Sequence, residues 1–329
     1  MIQTREPDYP TSAATGRLMI LNIGRIGDTI LRNSILDSAF RTFEKVDYIC
    51  GRHNAELLRS DKRLNSVTVF RNSPKGFAAL VSAAMRRRYD GFIDLKNHPS
   101  SISLILAKLF RSRVKTGCNH DRFQPFDRDV RSVSTPALHI LETMRRIGRL
   151  AGLAPGDYKP SIVLPPDASN WFQQNYPAFN QPFIFLNVSA TSPERVWPIE
   201  NWARYVRGCG LANQSILVSG LPKDHEMVKR LVRELPGTVA FQPKGFMHVA
   251  AAIKAAQLVL TVDTGIVHAC SAFDKPLVAF YVKDTSLTAY ESLSTWRLII
   301  RPQTGRIVPD IDPAQAIAET RNRGLPHPF

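Results

Sequence analysis

The stretch Val262-Asp263-Thr264-Gly265-Ile266-Val267-His268 gathers a carboxylate, a hydroxyl, a glycine and an imidazole between two apolar runs, Ala256 to Leu260 and Pro276 to Tyr281. At a strand-to-helix corner these residue types suit phosphate and ribose oxygens. Gly265 lets a ligand approach the backbone, the first helical turn has N–H groups without internal partners, and Asp263 and Thr264 add polar side chains. The same residues also make an Asp-Thr helix cap with a half-buried histidine, so the rest of the chain has to decide.

Two further loops have the same character. Asn187 to Pro198 reads Asn-Val-Ser-Ala-Thr-Ser-Pro-Glu-Arg-Val-Trp-Pro, placing Thr191, Ser192 and Arg195 after an apolar run. A guanidinium offers forked donors and a permanent charge to a leaving diphosphate; alternatively this is an ordinary loop with Trp197 plugging the core. Gly220-Leu221-Pro222-Lys223-Asp224 follows another run, and Asp224 is either a ribose-hydroxyl acceptor or a helix cap. Near the start, Gly24-Arg25-Ile26-Gly27-Asp28 has neither dinucleotide-fingerprint nor phosphate-loop spacing. It does put Asp28 in the first turn of a helix, where the dipole favours a carboxylate. There Asp28 either accepts a hydroxyl proton or merely offsets the dipole.

The elements that must position these residues alternate. Leu18 to Ile23, Val46 to Cys50, Val67 to Phe70 and Gly91 to Leu95 read as strands, with helices after Gly27, over Phe77 to Arg88 and over His139 to Leu150. Breakers crowd Gly152 to Pro166. The pattern then restarts with strands at Phe183 to Val188, Ser215 to Ser219, Leu258 to Val262 and Leu277 to Tyr281. Helices are expected at Ile199 to Gly208, Lys223 to Leu235, Met247 to Ala255 and Pro313 to Thr320. Such alternation predicts parallel sheets whose ligands gather beyond the carboxyl ends of the strands. The expected organisation is two Rossmann-like α/β domains facing across a cleft, residues 1–155 and 156–329, with 1–16 a loose leader and the last helix packing back on the first domain.

A chain of 329 residues exceeds the usual single-domain size. No apolar run approaches the roughly 20 residues of a membrane span, and the polar N-terminus lacks a secretory core, so cytoplasmic residence is expected. Cys50, Cys118, Cys209 and Cys270 form no C-x-x-C pair, which predicts neither disulfides nor zinc. The net charge of +15 is uneven: residues 1–155 hold 26 Lys+Arg against 14 Asp+Glu, residues 156–329 hold 17 against 14. A basic first half predicts a polyanionic partner: nucleic acid, lipid headgroups or a phosphorylated glycan.

Together these stretches resemble glycosyltransferase family 9, the ADP-heptose:lipopolysaccharide heptosyltransferases. The resemblance rests on Leu18 to Leu31, Tyr89 to Leu95, Ala190 to Pro198 with Trp202, and Val262 to His268. It implies a GT-B fold, with the acceptor on the first domain and an ADP-sugar on the second. It further implies inverting transfer without a metal or other cofactor, Asp28 as general base, and Thr191, Ser192, Arg195, Asp224, Asp263, Thr264, Gly265 and His268 around the donor. Gly27, Arg25, Lys96 and His98 fall on the acceptor side. The implied acceptor is a phosphorylated, lipid-linked glycan reached from the inner face of the cytoplasmic membrane, to which the basic domain attaches peripherally; no nucleic-acid partner is expected. Departures are Arg195 where relatives have lysine, Asn187-Val-Ser-Ala at the start of its loop, and the polar segment Leu95 to Ser101. The competing readings are a non-catalytic nucleotide- or nucleic-acid-binding module, which lacks an aromatic-and-basic RNA signature, and a GT-B-like nucleotide-sugar epimerase.

Overall fold

The computed structural model describes residues 14–71, 73–134, 138–284 and 289–326. The chain divides into two compact units, Met1–Ser161 and Ile162–Phe329. The division falls within the breaker-rich stretch, a few residues beyond the boundary drawn from sequence.

Unit 1 runs β1 (Arg17–Asn22), α1 (Ile26–Arg32), α2 (Leu36–Thr42), β2 (Lys45–Gly51), α3 (Ala55–Arg59), β3 (Ser66–Phe70), α4 (Pro74–Arg86), β4 (Arg88–Asp94), α5 (Ser101–Leu109), β5 (Arg111–Gly117), β6 (Arg128–Asp129) and α6 (Ile140–Ala151). Its sheet is parallel in the order β3-β2-β1-β4-β5-β6. Unit 2 runs α7 (Pro166–Asn175), β7 (Ile184–Asn187), α8 (Ile199–Gly208), β8 (Ile216–Ser219), α9 (His225–Glu234), β9 (Thr238–Ala240), α10 (Phe246–Ala255), β10 (Leu258–Val262), α11 (Gly265–Phe273), β11 (Leu277–Phe280), β12 (Arg297–Ile300) and α12 (Pro313–Arg323). The same topology repeats there, as β12-β11-β10-β7-β8-β9. In each sheet the strand order reverses once, between β1 and β4 and between β7 and β10. Helices leave to opposite faces at that point, which opens a crevice beyond the strand ends.

The central strands are apolar on both faces because helices cover both. Leu18 to Leu21 in β1 and Leu258 to Leu260 in β10 are all buried. Helix α8 buries Ile199, Trp202, Ala203 and Val206, spaced i, i+3, i+4, i+7. Outer strand β5 (Arg-Ser-Arg-Val-Lys-Thr-Gly) was not legible as a strand: its first half is charged and exposed on alternate residues, so no apolar run announces it.

Residues 1–13 of the expected leader lie outside the described residues, but its last residue, Gly16, is tied in, accepting a hydrogen bond from Lys45 N at 3.2 Å. Within unit 2, helix α12 packs on α8, where the Tyr205 and Thr320 hydroxyls meet at 2.8 Å. Among the described residues no helix is long and apolar enough to cross a membrane.

Candidate active site

In unit 2 the site begins with a buried tryptophan. Trp197 is fully buried, packs its ring 4.4 Å from that of Phe280 and 5.0 Å from that of Trp202, and donates Nε1 to Ile311 O at 3.0 Å. This anchors the end of the loop after β7. Two residues earlier, Arg195 closes a 3-10 turn over Pro193–Arg195 and reaches the corner after β10. Its Nη1 lies 3.2 Å from Asp263 Oδ2 and donates to Asp263 O at 3.4 Å. The Asp263 backbone N–H donates to Phe280 O at 2.9 Å, fixing the corner to β11. Burial pushes the Asp263 carboxyl above its ordinary pKa, opposed by the Arg195 and Arg301 charges.

Thr264 is the N-cap of α11, its Oγ1 accepting from Ile266 N at 3.3 Å, and Gly265 is the first helical residue. Asn187, last residue of β7, crosses the switch point, donating Nδ2 to Thr261 Oγ1 at 3.0 Å, Ser189 O at 3.1 Å and Thr264 Oγ1 at 3.5 Å. The next loop is drawn in by Leu221 N donating to Ser189 Oγ at 2.9 Å. Gly220 permits this approach, because a Cβ there would meet Ser189 Oγ at 2.9 Å and Val228 at 2.7 Å. Asp224 stands at the N-cap of α9, yet its side chain makes no capping bond, and its buried Oδ2 has no hydrogen-bond partner among the described residues. The helix-cap reading of Asp224 therefore loses its support.

The structure thus brings Arg195, Asp263, Thr264 and Gly265 together at one sheet edge and ties the Asp224 loop to them. Thr191 is exposed and Ser192 half-buried on the loop leading to Arg195. His268 is buried within α11, a turn beyond its start. Sequence reasoning missed Arg301, whose guanidinium lies 5.4 Å from the Tyr281 ring centre and pairs with Glu291. It sits after an outer strand with no motif of its own.

In unit 1 the corresponding edge lies between Asn22, which ends β1, and Asp94, which ends β4. The corner after β1 is fixed by Asn54, donating Nδ2 to Gly24 O at 2.9 Å. Arg25 is the exposed N-cap of α1, Gly27 is buried, and Asp28 is half-buried in the first turn. Asp94 is fully buried, and that burial raises its carboxyl to about 6 against the Ser103 hydrogen bond, the Lys96 N–H and the Lys96 and Arg32 charges. Lys96 donates Nζ to Ser100 Oγ at 3.2 Å, and burial lowers its pKa. His98 is lowered by burial and by the Lys96 and Arg32 charges. Arg32, absent from the sequence-derived set, belongs to this group. The signal was available, since a residue four after Asp28 shares its helix face. Among the described residues no three His, Cys, Asp or Glu side chains gather closely enough to hold a metal ion.

The sequence model of Glycosyltransferase family 9 (heptosyltransferase) matches residues 78–301. Lipopolysaccharide heptosyltransferase 1 of Escherichia coli K12 is 24% identical over 211 residues, covering 62% of this chain and 64% of that protein. The chain therefore spans less than two thirds of the length of this curated relative. Among solved structures, a glycosyl transferase family 9 protein from Veillonella parvula superposes with a TM-score of 0.78 at 19% identity, covering 94% of this chain and 97% of that one. The E. coli heptosyltransferase WaaC, solved with ADP, gives 0.75 at 18% identity, covering 94% and 100%. These likenesses establish the fold, two parallel α/β units of the GT-B class.

Proposed function

Because the chain belongs to glycosyltransferase family 9, we propose that it transfers a heptose from ADP-heptose to a hydroxyl of a lipopolysaccharide core, with inversion and without a metal. The relatives' names, lipopolysaccharide heptosyltransferase 1, and a similar fold solved with ADP-2-deoxy-2-fluoro heptose supply the substrate classes. The observation that carries the reading is Arg195 held 3.2 Å from Asp263 at the head of α11, at the switch point of the second sheet. A fixed guanidinium beside a helix N-terminus matches a departing diphosphate. Residues 156–329 take the donor, with Thr191, Ser192 and His268 supporting the same loops, and the Asp224 carboxylate accepts hydrogen bonds from the ribose hydroxyls.

In the transfer step the acceptor oxygen bonds to the anomeric carbon from the face opposite the diphosphate. The bond from that carbon to the β-phosphate oxygen breaks, its electron pair leaves with ADP, and the hydroxyl proton passes to Asp28. Charge grows on the leaving diphosphate, so Arg195 and the α11 N-terminus bind the transition state more tightly than the ground state. One such fixed donor contributes about 3 kcal/mol. Residues 1–155 take the acceptor, with Arg25, Gly27, Lys96 and His98 on its side. The exposed Arg87, Arg88, Lys108, Arg111 and Arg113 hold the protein on the anionic inner face of the cytoplasmic membrane.

Calorimetric titration with ADP-heptose, a UDP-sugar and a GDP-sugar, followed by product analysis on heptose-free lipopolysaccharide, tests this. The reading expects selective binding of ADP-heptose and donor consumption only when acceptor is present. Donor converted to an isomer with no acceptor would make the chain an epimerase. A salt-sensitive nucleic-acid complex without nucleotide-sugar binding would make it a binding module.

A further inference from the structure

Arg301 follows β12 and holds its guanidinium 5.4 Å from the centre of the Tyr281 ring. Three contacts fix it there. Its side chain pairs with Glu291, its backbone oxygen accepts from Gln315 Nε2 of α12 at 2.7 Å, and Ile300 O just before it accepts from Tyr281 N at 2.9 Å. The segment that carries Glu291 is strapped to α11. Ser292 Oγ meets Ser271 Oγ at 3.1 Å, Leu293 N donates to Ser271 Oγ at 3.0 Å, and the α11 C-cap Asp274 accepts from Thr295 N at 2.7 Å and Thr295 Oγ1 at 3.0 Å. The helix whose first turn takes the diphosphate in the proposed reaction thus also sets Arg301 through its far end.

The charges that act on Asp263 are those of Arg195 and Arg301. Arg195 is the direct partner, its Nη1 reaching both Asp263 Oδ2 and Asp263 O. The charges of Asp263, Glu291 and Arg301 all act on the buried Tyr281 hydroxyl, which puts the four side chains in one group. Glu291 holds Arg301 without cancelling it, since the Glu291 charge registers on Tyr281 and not on Asp263. Donor binding upsets this balance. A diphosphate diester is anionic on both phosphates; it draws on the Arg195 guanidinium and sets new negative charge near a carboxylate that is only 8% exposed. A buried carboxylate that meets a like charge takes up a proton unless another cation holds it.

We propose that Arg301 is a positioning residue for donor binding: while the diphosphate shares Arg195, Arg301 keeps Asp263 ionised, and the ionised carboxylate keeps Arg195 aimed at the leaving group. This rests on the glycosyl-transfer reading. Without Arg301, Asp263 is ionised in the free chain and protonated in the complex, so donor binding takes up a proton and weakens as pH rises.

The test is calorimetric titration of the full chain with ADP-heptose, without acceptor, in buffers of different ionisation heat between about pH 7 and about pH 8. ADP-heptose serves because its diester has no group that titrates there, whereas the terminal phosphate of ADP does. Wild type should bind with no net proton uptake and an affinity level with pH. Arg301→Gln should take up as much as about one proton per donor and lose up to about tenfold in affinity per pH unit. Arg301→Lys should restore the level profile, and adding Asp263→Asn to Arg301→Gln should abolish the uptake. A merely structural role for Arg301 would weaken binding equally at every pH. If Arg301→Gln fails to fold, Arg301→Met replaces it, keeping an apolar stem over Tyr281. A level affinity without proton uptake in the folded variant, or uptake by wild type that Asp263→Asn removes, overturns the proposal and leaves the glycosyl-transfer reading standing. A wild-type chain that binds no ADP-heptose sinks that reading and this role with it.

Discussion

The Arg195 guanidinium stands 3.2 Å from the buried Asp263 carboxylate, joining the loop after β7 to the corner after β10 across the point where the second sheet reverses its strand order. The pair holds Arg195 in place before a donor arrives, so little side-chain freedom remains to be lost on binding.

Arg195→Ala should therefore weaken ADP binding roughly 10- to 100-fold by calorimetry, and Arg195→Lys should restore part of it, since charge survives without the fork. An unchanged ADP affinity in Arg195→Ala would remove Arg195 from the donor site. The same variant should alter pH dependence. Asp263 has a folded-state pKa above its unfolded value, so its contribution to stability is greatest below the unfolded value and falls as pH rises through the folded one. Without Arg195 that pKa climbs further, and melting temperature should decline over a wider range toward neutral pH.

Asp94 provides a second titration with the same sign. Its carboxyl is raised from 3.8 to about 6 by burial, so the folded state retains a proton that the unfolded chain releases, and stability falls as pH rises from about 4 to about 6. The loss is about 3 kcal/mol for a shift of this size. Urea unfolding of wild type and Asp94→Asn across that window should show the two curves diverging, the variant losing less. Parallel curves would contradict the assignment.

Trp197 links core to site. Trp197→Ala should destabilise the protein by about 3–5 kcal/mol and also weaken ADP binding, because the Arg195 loop loses its anchor in the cluster with Trp202 and Phe280. Chemical denaturation and calorimetry on the same sample check both. A stable variant with full ADP affinity would show the loop is held by other means.

The two switch-point corners were legible in sequence because glycines, a first-turn carboxylate and flanking apolar runs each leave a local trace, at Leu18 to Asp28 and at Leu258 to Gly265. Arg32, Asn22, Tyr48 and Asp94 were not seen as a group. Their association depends on β1 lying between β2 and β4, a long-range pairing that no local pattern encodes. Asp224 shows the opposite limit: its position spells a helix cap, and only the structure reveals a side chain without that bond.

The exposed cations Arg87, Arg88, Lys108, Arg111 and Arg113 should bind vesicles containing anionic lipid and not neutral ones. Raising ionic strength from about 0.1 M to about 1 M shortens the screening length from about 10 Å to about 3 Å, and sedimentation with vesicles should then fall to background. Binding indifferent to salt and lipid charge would point to an apolar attachment.

The measurement that bears most directly on the account is transfer from ADP-heptose to heptose-free lipopolysaccharide by Asp28→Ala, with ADP affinity determined on the same preparation. The account predicts ADP binding at wild-type strength and no detectable turnover. Transfer at the wild-type rate would contradict it.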